Sequence, residues 1–213
     1  MTSVRGVVVV AHGGRPVSSA PTAAIQPAVL RMVPVAAAIR RAFPGGGVVV
    51  SRPRFRVQGW NGAKASPVGD LSEHLDDLRA QFGPVPVVLV GHSMGARAAL
   101  RAAGHPSVTA VAGLAPWLPP GEPVGQLSGR SVLLAHGTAD FVTSAPETWA
   151  YADRARALAR VAEVEIRGGE HAMLLRAALW HALAATFASV SFGFPPPAGP
   201  AASALASPRR TVL

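Results

Sequence analysis

Residues 85–100 constrain the fold more than any other part of the chain. A run of β-branched residues at 85–90 leads directly into a small-residue helical stretch at 96–103, and the junction between them reads Gly-His-Ser-Met-Gly. Glycine at both ends of such a junction lets a buried strand turn sharply into a helix and presents the central serine, Ser93, at the end of the strand. The segment therefore predicts a strand–turn–helix unit with a reactive side chain at its turn, or a tight turn of purely structural use.

Short β-branched runs alternate with helical patterns along the rest of the chain. This alternation is typical of the α/β class, with a mostly parallel sheet and helices on both of its faces. A cap is also expected at Asp70, because Glu73 stands three residues later in the capping-box position. The predicted strands are residues 6–11, 47–51, 85–90, 108–114, 131–135 and 162–167, and the predicted helices are residues 24–42, 71–82, 96–103, 146–160 and 173–189.

Size and composition fit one globular domain. The chain has 213 residues, of which 49% are hydrophobic and 15% charged. We expect the folded domain at residues 1–193 and a disordered Pro/Ala-rich tail at residues 194–213. No apolar run is long enough to span a membrane, and the apolar run at 7–11 is too short for a signal peptide, so a cytoplasmic location is expected. The absence of cysteine excludes disulfides, thiolate ligands and a cysteine nucleophile.

The chain is strongly basic. It carries 20 basic and 11 acidic side chains, for a formal net charge of +9. Such a charge can indicate nucleic acid or an anionic membrane surface as a partner. Here the basic residues, all arginine except Lys64, are scattered and form no block with interleaved aromatics. We therefore expect no nucleic-acid partner, while an arginine-driven binding module stays as an alternative that salt dependence would reveal. The oligomeric state is not indicated.

A serine hydroxyl is a useful nucleophile only beside a base that a third group orients. In a parallel sheet, such partners lie in loops at the carboxyl ends of strands that come later in the chain. Asp140 and His171 each follow a predicted later strand, in the order acid then base. Ser93, Asp140 and His171 are therefore predicted to meet at one edge of the sheet. Glu147 and Glu170 are the alternatives to Asp140 as the acid.

With these residues in place, the chain resembles the α/β-hydrolase superfamily. The resemblance implies that Ser93 is the nucleophile, His171 the general base and Asp140 the orienting acid. It also implies an oxyanion hole made by the backbone amides of Gly14 and Met94. The matching segments, within residues 7–187, are Gly91-His92-Ser93-Met94-Gly95, His136-Gly137-x-x-Asp140, Gly169-Glu170-His171 and His12-Gly13-Gly14.

The connection at residues 115–130 bears on the substrate. It is rich in proline and glycine and too short for a helical lid. The resemblance thus implies a small, lidless serine hydrolase that lacks the first two strands of the family's sheet. An open, shallow site favours a small carboxylic ester or thioester, cleaved through an acyl-enzyme on Ser93, with Trp60 and Trp117 lining the pocket. A perhydrolase, a dienelactone-type hydrolase and a catalytically inert binding protein of the same fold are the alternatives.

No cofactor and no metal are expected. The glycines at 13–14 and 45–47 lack the spacing that cradles phosphates in nucleotide-binding loops. The sequence also has no His-x-x-x-His pair and no carboxylate cluster. The predicted partner is a small-molecule ester or thioester alone.

Overall fold

The computed structural model describes residues 4–207 and 209–213. Its centre is a seven-stranded sheet built from β1 (Gly6–Ala11), β2 (Val48–Ser51), β3 (Val87–His92), β4 (Val108–Leu114), β5 (Ser131–Gly137), β6 (Arg160–Ile166) and β7 (Thr211–Val212). The strand order is β2-β1-β3-β4-β5-β6-β7, and each pairing in this order is parallel. The predicted α/β class with a parallel sheet is confirmed.

Helices cover both faces of the sheet, as predicted. They are α1 (Pro27–Leu30), α2 (Met32–Arg41), α3 (Ser66–Phe82), α4 (Met94–Ala102), α5 (Ala145–Ala155), α6 (Ala177–Ser191) and α7 (Pro200–Ala206). One core packs α3, α4 and α5 against the sheet, and the other packs α2, α6 and α7. In β1, Val7 and Val9 face the first core, while Val8 and Val10 face the second. Burying a valine side chain contributes about 1.5–3 kcal/mol to the free energy of folding, so this central strand stabilises the packing on both faces of the sheet.

The start of α3 differs from the prediction. The helix begins at Ser66, ahead of the predicted cap, because Pro67 is preorganised for a first helical turn. Asp70 and Glu73 lie inside the helix and bind the guanidinium of Arg56, with Asp70 Oδ1 2.6 Å from Nε and Glu73 Oε1 3.1 Å from Nη2. The predicted capping box at Asp70 was therefore wrong.

The connection between β4 and β5 carries no lid, as predicted. Its regular structure is the 3-10 turn Gly125–Leu127. Glu122, 4% exposed, accepts hydrogen bonds from Arg97 Nε at 2.7 Å and from Arg101 Nε at 2.8 Å. Both arginines belong to α4, so a buried ionic cluster fixes this short loop to the helix that follows Ser93.

The predicted disordered tail is partly ordered in the structure. Ala201 and Ala204 of α7 pack into the second core, and β7 extends the sheet beside β6. Arg210 Nε lies 2.8 Å from the buried carboxylate of Glu163, and its guanidinium lies 4.2 Å from the ring centre of Trp149. Long-range contacts order this segment, and its local composition does not reveal them. Residues 1–3 of the predicted domain and Pro208 of the tail lie outside the described residues.

Replacing Arg210 by alanine is expected to lower the free energy of unfolding by about 1–2 kcal/mol. The physical reason is that the buried carboxylate of Glu163 would keep Arg156 as its remaining charged partner. Urea denaturation followed by circular dichroism measures this loss. Arg209→Ala is the matched control, because Arg209 is exposed and its guanidinium makes no hydrogen bond to any described residue. Equal stability of the two variants would contradict the docked tail.

Candidate active site

Ser93 occupies the sharp turn between β3 and α4. Its backbone angles are φ 54° and ψ −119°, a region that residues with a side chain rarely adopt. A conformation of this kind costs about 1–3 kcal/mol. The buried strand before it offsets this cost, since Val88, Leu89 and Val90 are each 0% exposed. The turn therefore persists and holds the serine hydroxyl at the carboxyl end of the central strand.

The two glycines of the turn are required by close backbone packing. A Cβ atom at Gly91 would overlap the carbonyl oxygen of Gly95 and the backbone of Ala96. A Cβ atom at Gly95 would overlap the carbonyl oxygen of His12, in the loop after β1. Glycine is thus required at both ends of the motif, because a side chain at position 91 or 95 would overlap neighbouring backbone atoms.

The structure brings together the three residues that the sequence predicted to meet. Oγ of Ser93 lies 3.0 Å from Nε2 of His171, and Nδ1 of the same ring lies 2.8 Å from Oδ2 of Asp140. In this arrangement the serine hydroxyl donates to Nε2, while Nδ1–H donates to the carboxylate. Ser93 is buried at 8% exposure and the side chain of His171 is 15% exposed, so each keeps a small solvent-accessible surface.

Asp140 is held in place by three hydrogen bonds besides the one to His171, and by a close contact with His136. Its Oδ1 accepts from the amides of Val142 at 2.8 Å and Thr143 at 2.9 Å, and its Oδ2 accepts from the Thr143 hydroxyl at 2.9 Å and lies 3.3 Å from Nε2 of His136. Burial by itself raises the pKa of Asp140, but the interactions with His136, His171 and the two amides outweigh it and hold the pKa well below its usual range. The carboxylate therefore stays ionised and fixes the imidazole of His171. Glu147 and Glu170, the alternatives considered from the sequence, do not occupy the position of the carboxylate beside Nδ1 of His171.

Thr143 and His136 complete the surroundings of the acid, and sequence reasoning did not assign them to the site. The hydroxyl of Thr143 also lies 3.2 Å from Nδ1 of His171. His136 is 0% exposed, and its Nδ1 lies 2.8 Å from the hydroxyl of Thr148. The available signal was the turn that starts at Asp140, because an aspartate commonly accepts hydrogen bonds from amides two and three residues later.

His92 holds the loop that carries His171. Its Nε2–H donates to the carbonyl oxygen of His171 at 2.8 Å. Burial, together with electrostatic interactions with His171 and Arg31, lowers the pKa of His92 to about 3. The ring therefore stays neutral at ordinary pH and supports the loop through one fixed hydrogen bond.

The amides of Gly14 and Met94 are the predicted donors of the oxyanion hole. Neither amide has a hydrogen-bond acceptor among residues 4–207 and 209–213. The loop after β1 approaches α4 closely, since a Cβ atom at Gly14 would lie 2.7 Å from Sδ of Met94 and one at Gly13 would lie 3.4 Å from Cβ of Ser93. Unpaired amides at the start of a helix favour a developing negative charge. Their joint action on a substrate oxygen stays a prediction.

Trp60 and Trp117 pack against one charged side chain. Their ring centres are 6.2 Å apart, and the guanidinium of Arg97 lies 3.8 Å from the first and 4.5 Å from the second. Trp60 is 3% exposed. These contacts add cation–π attraction to the ionic cluster at Glu122 and give both rings a structural role. Their predicted contact with substrate stays a prediction.

Two cavities differ in their relation to Ser93. A cavity of about 600 Å³ lies at the amino ends of β4, β5 and β6, away from the serine. A smaller one of about 210 Å³ opens beside the loop after β1 and is lined in part by Gly13, Gly14 and Arg15. Ligands of open parallel sheets bind beyond the carboxyl ends of the strands, so the smaller cavity is the one placed for chemistry.

Across the described ranges, no group of three or more His, Cys, Asp or Glu side chains is placed to hold a metal ion. No helix in this part of the chain combines the length and the apolar character that crossing a bilayer requires.

Comparison with known proteins agrees with this architecture. A family profile for the α/β-hydrolase fold matches residues 18–130. Among solved structures, an α/β serine hydrolase homologue from Coxiella burnetii is 17% identical with a TM-score of 0.64, over 87% of this chain and 86% of that one. Est1E from Butyrivibrio proteoclasticus is 12% identical with a TM-score of 0.65, over 91% and 90%. A lidless α/β serine hydrolase from Xanthomonas campestris is 22% identical with a TM-score of 0.55, over 93% and 85%. No curated protein matches the sequence significantly.

Proposed function

The chain belongs to the α/β-hydrolase fold family, and on that premise we propose that it is a serine hydrolase of small carboxylic esters or thioesters. The observation that carries the proposal is the continuous hydrogen-bond chain from Ser93 through His171 to Asp140, at 3.0 Å and 2.8 Å. A serine in such a chain loses its proton to the imidazole as it attacks, and the ionised acid stabilises the imidazolium that forms.

The reaction proceeds in two halves. Oγ of Ser93 attacks the carbonyl carbon while Nε2 of His171 takes its proton, and the carbonyl oxygen becomes negative beside the amides of Gly14 and Met94. His171 then returns the proton to the departing alkoxide or thiolate, which leaves an acyl-enzyme on Ser93. A water molecule gives its proton to His171 and attacks the acyl carbon, and collapse of the intermediate releases the acid and restores the serine hydroxyl.

The shape of the site supports a small substrate. The β4–β5 connection is short and bound to α4, so no lid covers Ser93, and the cavity beside Gly13 holds about 210 Å³. At about 30 Å³ per water molecule, this volume corresponds to about seven waters and fits a short acyl group. Among structurally similar proteins, Est1E is described with bound ferulic acid, and the Xanthomonas hydrolase is described as lidless.

A series of 4-nitrophenyl esters tests the proposal. The purified protein is expected to hydrolyse the acetate and butyrate with a kcat/KM at least about tenfold above that for the palmitate, because the palmitoyl chain is too large for a cavity of about 210 Å³. The corresponding thioesters form the second arm. Absence of turnover above the uncatalysed rate for every short ester and thioester would contradict the proposal.

A further inference from the structure

The cavity beside the loop after β1 has an unpaired arginine in its wall. Arg15 follows Gly14 directly, lines the cavity and is exposed. Its guanidinium forms no salt bridge or hydrogen bond with any residue at 4–207 or 209–213. Arg56, by contrast, is paired with the carboxylates of α3, and Arg15 differs from other unpaired surface arginines such as Arg52 because it lines the cavity. A guanidinium left free beside a cavity is available to a ligand that carries a carboxylate.

The remaining polar groups of the cavity fit an anion as well. The side-chain amide of Gln26 lines it and makes no hydrogen bond within the part of the chain that the structure describes. No acidic residue stands among the lining residues. Arg31 follows the lining residues 26–28 closely in the chain, and its Nε is buried without a hydrogen-bond partner among the described residues. The cavity therefore offers donors and positive charge with no competing carboxylate.

The position of the cavity indicates which part of the substrate it would bind, the acyl part or the leaving group. The leaving group must face Nε2 of His171 to receive its proton, so it lies toward the loops that carry Asp140 and His171. The walls of the cavity come instead from residues 12–15, 26–28 and 58, with none from those two loops. If the carbonyl oxygen of a bound ester pointed toward the Gly14 amide, its acyl part would extend toward this cavity.

We propose that the cavity binds a carboxylate on the acyl part of the substrate and that Arg15 is the residue that selects it. The preferred substrates are then monoesters or monothioesters of short dicarboxylic acids. This inference rests on the proposed function, because it specifies the substrate class of the same site. Neutral esters of equal length remain substrates, with a lower kcat/KM.

Two matched esters test the inference. The mono-4-nitrophenyl ester of glutaric acid and its methyl-capped counterpart share the scissile bond and the chain, and they differ by one charge. After subtraction of the uncatalysed rates, Arg15→Ala is expected to lower kcat/KM for the acid ester about tenfold, the scale of one exposed hydrogen bond to a charged group, and to leave the capped ester within about twofold. Rising salt is expected to weaken the preference of the parent for the acid ester.

Arg52→Ala is the matched control. Arg52 is also exposed and unpaired among the described residues, but it follows β2 and does not line the cavity, so both esters should keep their rates. An Arg15→Ala variant that leaves the acid-ester preference unchanged, while the parent still hydrolyses both esters, overturns the inference and leaves the proposed function standing. Failure of the parent to hydrolyse either ester, while it still hydrolyses 4-nitrophenyl acetate, overturns this inference alone, and failure on every short ester and thioester overturns the proposed function as well.

Discussion

Replacing Ser93 by alanine is expected to lower kcat/KM for short esters by about 10⁴-fold or more, the largest effect of any single change in this chain. Alanine removes the atom that forms the acyl-enzyme, and neither His171 nor the oxyanion amides can substitute for it. Alanine keeps a Cβ atom at the same positive φ, so the backbone strain and the free energy of unfolding should stay within about 0.5 kcal/mol of the parent. Steady-state kinetics and thermal unfolding measure the two quantities.

Ser19→Ala is the control for this substitution. Ser19 is exposed in the loop after β1, and its hydroxyl makes no hydrogen bond to a described residue, so its removal should leave kcat/KM unchanged. If the Ser93→Ala variant kept a tenth or more of the parental rate while folding normally, Ser93 would not be the nucleophile.

Replacing His171 by alanine is expected to lower kcat/KM by at least about 10²-fold. Nε2 of His171 lies 3.0 Å from Ser93 Oγ and is its proton acceptor. Without it, the hydroxyl of Ser93 must attack as a neutral alcohol. The imidazole of His171 also protonates the leaving group and later takes the proton of water, so both halves of the reaction slow without it. Rates of the 4-nitrophenyl ester across pH measure the loss, with folding checked by circular dichroism.

His105→Ala provides the matched histidine control. Its ring pairs with Asp76 at 3.2 Å. His105 lies in the turn before β4, at the edge of the sheet opposite to Ser93. Ester hydrolysis by this variant should equal that of the parent. A His171→Ala variant as active as the His105→Ala variant would exclude His171 as the general base.

The parts of the site that follow from a parallel sheet were predictable from the sequence. The turn at Ser93 is encoded locally by its two glycines and by the strand and helix on either side. Asp140 and His171 were predictable because parallel strands bring their carboxyl ends to one edge, whatever their separation in sequence. The order of acid and base along the chain then agreed with the required geometry.

Contacts between distant side chains were not predictable in the same way. Arg210 docks the tail on Glu163, and the two residues are far apart in sequence with no shared pattern. Arg97 draws Trp60 and Trp117 into one stack, so aromatic residues in loops near the site serve its packing. The start of α3 was missed because Asp70 and Glu73 have the spacing of a capping box and bind Arg56 instead. In each case, a tertiary ion pair or stack decided what local preference left open.

Mass spectrometry of the folded protein after treatment with a fluorophosphonate tests the central claim most directly. Such a reagent phosphonylates only a serine whose proton is removed by a neighbouring base. We expect one adduct per chain, located on Ser93, and none on the Ser93→Ala variant or on parent protein unfolded in urea. An unmodified Ser93 in the folded parent, or an adduct on another serine, would contradict it.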